Sequence, residues 1–205
     1  MKSAIILAGG VSRRFGQDKG LLLLGGKPLC LHVLEAALSV ADEVLVVVSS
    51  ATQGETYESM GTEARIITDN RDIQTPLVGA LAGFANALGE YSLLLPCDAP
   101  FVSRQVASLL LELCVSNDAV IPLWPNGYME PLQAAYRTKS AWAAANSALE
   151  GNKMDLRSMI AHLDTVRYVQ TSVLKQIDFR LLTFYNVNTP EKLEGAELML
   201  RRSRR

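Results

Sequence analysis

The chain has 205 residues, 49% of them hydrophobic, with 20 Lys+Arg against 21 Asp+Glu and a net charge of −1. That balance gives no global field for nucleic acid or an anionic membrane, and the longest apolar runs, such as Val44 to Val48, fall far short of the ~20 residues that span a bilayer. Cys30, Cys97 and Cys114 are odd in number and widely spaced, with no CxxC, so neither a disulfide framework nor a zinc site is indicated and a reducing, cytoplasmic setting fits.

Ala4 to Ala8 is a short apolar run without alternation, which predicts a strand buried on both faces. It feeds a glycine-rich loop, with Gly9, Gly10, Gly16 and Gly20, that also carries Arg13, Arg14, Asp18 and Lys19. Glycines let backbone approach a ligand, free N–H groups make a concave anion site, and the three cations add formal charge, so the loop reads as a site for a nucleotide's phosphates. Pro28 opens a predicted helix to about residue 41, and Val44 to Val48 is a second buried strand, followed by Ser49 and Ser50. A short helix over Gln53 to Met60 and a third strand, Ala64 to Thr68, lead to Asp69. A polar loop to Pro76 precedes a helix from Leu77 to about Leu88, rich in small residues. Ser92 to Pro96 is a fourth strand and delivers Cys97-Asp98-Ala99-Pro100. Ser103 caps a helix to about Val115, and Ala119 to Leu123 is a fifth strand.

The later chain is less regular. Pro125-Asn126-Gly127 signals a turn, with strand-like segments near Trp124 and at Leu132 to Tyr136. Helices are expected over Ser140 to Leu149 and Met154 to Leu163, and strands at Val166 to Gln170 and about Leu181 to Val187. Thr189 and Pro190 supply the N-cap and first residue of a final helix to Leu200. Strands alternating with helices predict an α/β fold: a Rossmann-like, doubly wound, mostly parallel sheet flanked by helices, with an irregular second half. Ligands in such sheets sit beyond the carboxyl ends of the strands, where Leu7 to Lys19, Ser49–Ser50, Asp69 and Asp98 converge.

The opening loop fits neither standard phosphate fingerprint. Gly9 and Gly10 are adjacent and Gly16 is too distant for G-x-G-x-x-G, and no GK[ST] follows for a Walker A loop. No Ser/His/Asp or Cys/His constellation stands out, His32 and His162 read as structural or exposed, and Cys97 as a small buried filler.

Leu7-Ala8-Gly9-Gly10, Arg14, Gly16, Asp18-Lys19, Gly26-Lys27-Pro28-Leu29, Gly79 to Gly83, Leu95 to Pro100 and Asn186-Val187-Asn188-Thr189-Pro190 together resemble the molybdenum cofactor guanylyltransferases, within the GT-A-like nucleotidyltransferases. The resemblance covers nearly the whole chain. It implies a single domain over residues 1–205, with a nucleotide-binding half at about 1–100 and an acceptor-binding half at about 101–205. It implies transfer of GMP from GTP to the terminal phosphate of molybdenum-molybdopterin, with loss of pyrophosphate and with Mg²⁺ as cofactor. Leu7, Ala8, Gly9 and Gly10 would then contact the nucleoside, and Arg14 and Lys19 the β- and γ-phosphates. Asp98 would bind the metal, Asn188 would complete its shell, and Asn186 would orient that shell and face the acceptor. Asp69 would meet base or ribose, and Gly79 and Gly83 would admit the ligand close to their helix. Lys153 and Arg157 are candidates for the acceptor's phosphate, with a solvated helix start as the alternative for both. Where the family commonly has an asparagine after the second strand, this chain has Ser49-Ser50. Proteins that deliver molybdopterin and molybdoenzyme chaperones are candidate partners. The rivals are a cytidylyltransferase for the same pterin, another small-molecule nucleotidyltransferase, and a non-catalytic nucleotide-binding subunit.

Overall fold

The first apolar run folds as β1 (Lys2–Leu7) and takes the centre of a seven-stranded sheet in the computed structural model, which describes residues 1–9, 11–12, 16–69 and 73–203. The other strands are β2 (Glu43–Val48), β3 (Arg65–Thr68), β4 (Tyr91–Pro96), β5 (Ala119–Leu123), β6 (Ala134–Arg137) and β7 (Val166–Gln170). Their spatial order is β7-β5-β6-β4-β1-β2-β3. Neighbours run parallel except at β6, which is antiparallel to both β4 and β5. Leu7 is in register with Val47 on one side and Pro96 on the other, so β1, β2 and β4 end at one level. The chain leaves β1 toward β2 and β3 and returns on the far side of β1 as β4. That reversal opens a crevice at the carboxyl edge.

Helices α1 (Leu29–Leu38), α2 (Ala51–Glu58), α3 (Pro76–Asn86), α4 (Arg104–Leu113) and α5 (Thr138–Glu150) cover the sheet. Ala4 and Ile6 of β1 pack with Leu34 of α1, Tyr57 of α2 and Leu110 of α4, while Ile5 packs on the opposite face with Leu77 and Phe84 of α3. Two-sided burial explains the unbroken apolar run, and each such side chain contributes roughly 1.5–3 kcal/mol. Gly83 is buried against Ile5: a Cβ there would run into Ile5 Cγ2. Its small size therefore serves the packing of α3 on the sheet and not a ligand. Beyond α5, the short α6 (Leu156–Ile160) and α7 (Thr171–Leu174) lead to α8 (Pro190–Ser203), seated through Ala196 on a small cluster with Leu22, Leu24, Leu29 and Val187.

Three expectations change. The strand at Leu132 to Tyr136 starts at Ala134, and it is antiparallel because β5 turns back on itself: Asn126 and Gly127 (φ +83°) form the turn, and Leu123 bridges Met129. The helix at Met154 to Leu163 contracts to α6, whose N-cap is the Asp155 carboxylate accepting from Ser158 N. No strand forms at Leu181 to Val187. Leu181 sits at φ +50°, Leu182–Phe184 is a 3₁₀ turn, and the Asp178 carboxylate accepts from Leu182 N, Thr183 N and Thr183 Oγ1. Those local bonds hold the backbone away from a ladder.

At the opposite edge of the sheet, Glu43 joins four partners. Its carboxylate accepts from Ser3 Oγ, Leu88 N and Gly89 N and pairs with Arg65. Burial pushes this carboxyl up, but the hydrogen bonds outweigh burial and hold it below its usual value. A group depressed in this way stabilises above its unfolded pKa and loses that stabilisation as pH falls through the folded value. Glu43→Gln is expected to cost ~1–3 kcal/mol at pH 7. Urea unfolding of both proteins across pH 7 to pH 3 checks this: the gap should close toward the acid end.

Candidate active site

A cleft of about 680 Å³ opens at the carboxyl edge, lined by the ends of β1 (Leu7, Gly9), β2 (Val47, Val48, Ser49) and β4 (Pro96, Cys97, Asp98). Asp69 closes it beyond β3, with Gln74, Thr75, Pro76 and Gly79 from the start of α3, Lys19 from the first loop, and Leu132, Asn186 and Asn188 from the second half of the chain. That size suits a small-molecule ligand. Each edge residue arrives by the parallel ladder: Ala8 N donates to Val47 O (2.8 Å), Cys97 N to Leu7 O (3.1 Å) and Asp69 N to Val48 O (2.8 Å).

The cationic end is built around one ammonium. Lys19 Nζ donates to Asp98 Oδ2 at 3.1 Å and to Asn188 Oδ1. Backbone holds these partners together, because Val187 N donates to Asp98 O (2.8 Å) and so sets Asn186 and Asn188 beside the end of β4. The Lys19 ammonium thus occupies a point between two hard oxygens, the charge and donor type that a divalent cation would need. Among the described residues no group of three or more His, Cys, Asp and Glu could hold a metal. A magnesium ion here would rest on Asp98, the amide oxygen of Asn188 and the ligand's own phosphates, which is a usual donor set for that ion.

Asn186 is fixed differently. Its Oδ1 accepts from Gln133 Nε2 (2.9 Å), and that same nitrogen donates to Thr183 O (2.9 Å). Gln133 is only 1% exposed, and its Oε1 accepts no hydrogen bond among the described residues. That leaves Asn186 its amide N–H₂ and the second acceptor site of its oxygen to offer the cleft, and of these the N–H₂ suits an anionic oxygen.

At the other end the described lining includes the carboxylate of Asp69 beside Ser49, Gly9 and Gly79. Asp18 is turned into the protein, where its carboxylate accepts from Gly20 N (2.8 Å), Tyr57 OH (3.1 Å) and Gln53 Nε2. Gly20 has no room for a side chain, since a Cβ would strike the Tyr57 hydroxyl. Gly9 faces Ser49 closely: a Cβ on Gly9 would lie 3.4 Å from the Ser49 Cβ.

Of the residues singled out from sequence, Leu7, Gly9, Lys19, Asp69, Gly79, Asp98, Asn186 and Asn188 therefore share one cleft. Ala8 lies behind it, buried, with its carbonyl accepting from Gln53. Gly10, Arg13 and Arg14 lie outside the described residues. Lys153 and Arg157 are not brought to the cleft. Lys153 is an exposed residue between α5 and α6, and Arg157, exposed on α6, stacks over the Tyr128 ring (5.5 Å). His32 pairs with the Leu24 carbonyl (2.9 Å) away from the cleft. Sequence reasoning missed Gln53, Tyr57 and Gln133. Gln53 had a signal, since Ser50-x-x-Gln53 has capping-box spacing and Ser50 Oγ does accept from Gln53 N. Gln133 had none, because its partners lie 50 or more residues away.

Residues 4–166 match the MobA-like NTP transferase domain. The chain belongs to that family. It is 34% identical over 201 residues to a protein of Methanosarcina acetivorans named probable molybdenum cofactor guanylyltransferase, covering 95% of this chain and 89% of that one. It is 32% identical over 204 residues to the molybdenum cofactor guanylyltransferase of Desulfosudis oleivorans, covering 98% and 97%. Among solved structures it resembles molybdopterin-guanine dinucleotide biosynthesis protein A of Archaeoglobus fulgidus, with TM-score 0.82, 30% identity and coverage of 98% and 100%. A Thermus thermophilus cytidylyltransferase, at 20% identity and TM-score 0.73, shares the fold.

In this MobA-like chain the three cysteines are free and buried. Burial pushes the Cys30 thiol up to about 12, as it does Cys114, and raises Cys97 well above its ordinary value, with Cys30 and Asp98 adding to the effect. Cys97 therefore borders the cleft as a protonated, apolar filler and is no nucleophile. Iodoacetamide at pH 8 is expected to label the native protein at least ~100-fold more slowly than the urea-unfolded chain. Mass spectrometry of trapped time points reads this directly.

Proposed function

We propose that this protein transfers GMP from GTP to the terminal phosphate of molybdenum-molybdopterin, releasing pyrophosphate, with Mg²⁺ as cofactor. One observation carries the reading: an ammonium, a carboxylate and an amide oxygen meet at the reversal point of the sheet, beside a glycine-lined recess. The relatives named as molybdenum cofactor guanylyltransferases, matched over most of their length, support this choice of nucleotide and acceptor.

Phosphoryl and nucleotidyl transfer depend mainly on positioning and charge neutralisation. The acceptor's phosphate oxygen attacks the α-phosphorus, the new O–P bond forms as the bond to the β-phosphate oxygen breaks, and the electron pair leaves with pyrophosphate. A phosphate monoester has its second pKa near ~6, so the nucleophile is already ionised and no general base is needed. That matches a cleft without a histidine among its described lining residues. Leu7, Gly9, Gly10 and Asp69 hold the nucleoside, with Gly79 allowing the ligand close to α3 and Ala8 supporting the loop from behind. Lys19, together with Arg14, draws charge off the leaving pyrophosphate. Asp98 and Asn188 would hold the magnesium ion, which when bound neutralises phosphate oxygens. Asn186, through its amide N–H₂, orients the acceptor's phosphate. The first hundred residues then serve mainly the nucleotide and the remainder mainly the acceptor.

Purified protein given molybdenum-molybdopterin is expected to release pyrophosphate with GTP and at most a small fraction of that rate with CTP. Turnover with CTP alone would overturn the guanylyl assignment. Asp98→Ala is expected to reduce transfer by at least ~1000-fold while changing GTP affinity by less than ~10-fold. Transfer assays paired with calorimetric GTP titration read the two quantities separately.

A further inference from the structure

The side chain with the most complete set of bonds near the cleft is Gln53, in the first turn of α2, and nothing in the proposed chemistry uses it. Its Oε1 accepts from Ser49 N (2.8 Å) and from Ser49 Oγ (3.0 Å), and its Nε2 donates to Ala8 O (2.8 Å) and to Asp18 Oδ2. An amide has two donors and two acceptor sites. All four are spent, on three segments: the end of β1, the end of β2 and the first loop. The orientation of the amide is fixed as well, because Ala8 O and the Asp18 carboxylate can only accept and so hold the nitrogen on their side.

This arrangement decides what Ser49 can do. A serine hydroxyl has one proton. Ser49 gives that proton, and its backbone N–H, to the same Gln53 oxygen. What remains for the cleft that Ser49 lines is acceptor capacity alone. The described residues around Ser49 are Gly9, Val47, Val48 and Gly79, with Asp69 at the neighbouring strand end, whereas the ammonium of Lys19 lies with Asp98 and Asn188 at the other end. A nucleotide bound with its phosphates toward Lys19 has its base or ribose at Ser49. An acceptor-only group there pairs with an N–H or O–H of the nucleoside and repels a bare ring nitrogen or carbonyl oxygen.

We infer that Gln53 is a positioning residue for the nucleoside: it locks Ser49 Oγ as a hydrogen-bond acceptor and fixes it relative to the β1 end. This inference rests on the nucleotide reading of the cleft. It makes Gln53 act through Ser49 and not by contact with the ligand, so the two side chains behave as one unit.

A double-mutant cycle on nucleotide affinity tests it, using calorimetric titration of the full chain with Mg²⁺ and GTP and no acceptor. Ser49→Ala is expected to weaken GTP binding about 5- to 30-fold. Gln53→Met, close in volume and unable to make any of the four bonds, is expected to weaken it by a similar factor. The double variant is expected to bind within about threefold of the weaker single variant. In transfer assays the singles should raise KM and leave kcat within about twofold. A Gln53→Met protein that loses thermal stability but keeps its GTP affinity within twofold would overturn the inference, since that is the signature of a structural cap. Multiplicative losses in the double variant would overturn it too. If Gln53→Met does not fold, Ser49→Ala decides alone, because unchanged affinity there removes the acceptor that Gln53 is said to hold. Binding of CTP in place of GTP by the unmodified protein would count against the guanylyl reading only, and the same cycle is then read with CTP.

Discussion

Lys19 ties together parts of the chain that lie far apart in sequence. Its ammonium bonds to Asp98, 79 residues away, and to Asn188, 169 residues away. The first loop, the end of the fourth strand and the segment before the last helix are thereby drawn to one point. Both charged partners are mostly shielded, with side chains 27% and 11% exposed, so removing either one leaves the other under-solvated. Asp18 and Lys19 divide the work of adjacent positions: the carboxylate turns inward to Gly20, Tyr57 and Gln53, and the ammonium turns outward to the cleft. Fixing Asp18 fixes where Lys19 begins.

That meeting point exists because of the sheet. Parallel strands end at a common edge, and β1, buried on both faces, sets the level for β2 and β4. The antiparallel β6 adds something the parallel strands cannot. It begins at the edge where its neighbours finish, so Leu132 and Gln133 enter from the same side as Asp98. Gln133 then holds Asn186, while Val187 anchors to the Asp98 carbonyl and packs with Leu22, Leu24 and Ala196. A small apolar cluster thus supports two polar side chains in the cleft. The last helix, which among the described residues contributes none to the lining, contributes that support.

The ammonium of Lys19 marks one end of the cleft and Ser49 the other, and each end has its own glutamine. Gln133 takes one acceptor site of Asn186, and Gln53 takes the one proton of Ser49. In both cases a side chain at the surface of the cleft is oriented by an amide behind it. Buried amide networks of this kind are specific because each unsatisfied group is costly, so few alternative arrangements survive.

Much of this was legible in the residues. The unbroken apolar runs at Ala4 to Ala8, Val44 to Val48 and Ser92 to Pro96 carried the doubly wound class, since strands buried on both faces need no polar alternation. Strand-then-loop order carried Lys19, Asp69 and Asp98 to one edge, because parallel topology fixes which end of a strand meets the ligand. The segment Leu181 to Val187 misled, as its apolar content reflects packing of an irregular turn capped by Asp178 and not a ladder. Lys153 and Arg157 do not line this cleft, because charge alone does not place a side chain relative to a strand edge. Local pattern, set by neighbours a few residues apart, thus determined the elements and the edge. Only the tertiary structure decided which oxygen each amide presents, that Lys19 lies between Asp98 and Asn188, and that Gln53 and Gln133 stand behind the cleft, because those bonds join residues whose separation in sequence leaves no local trace.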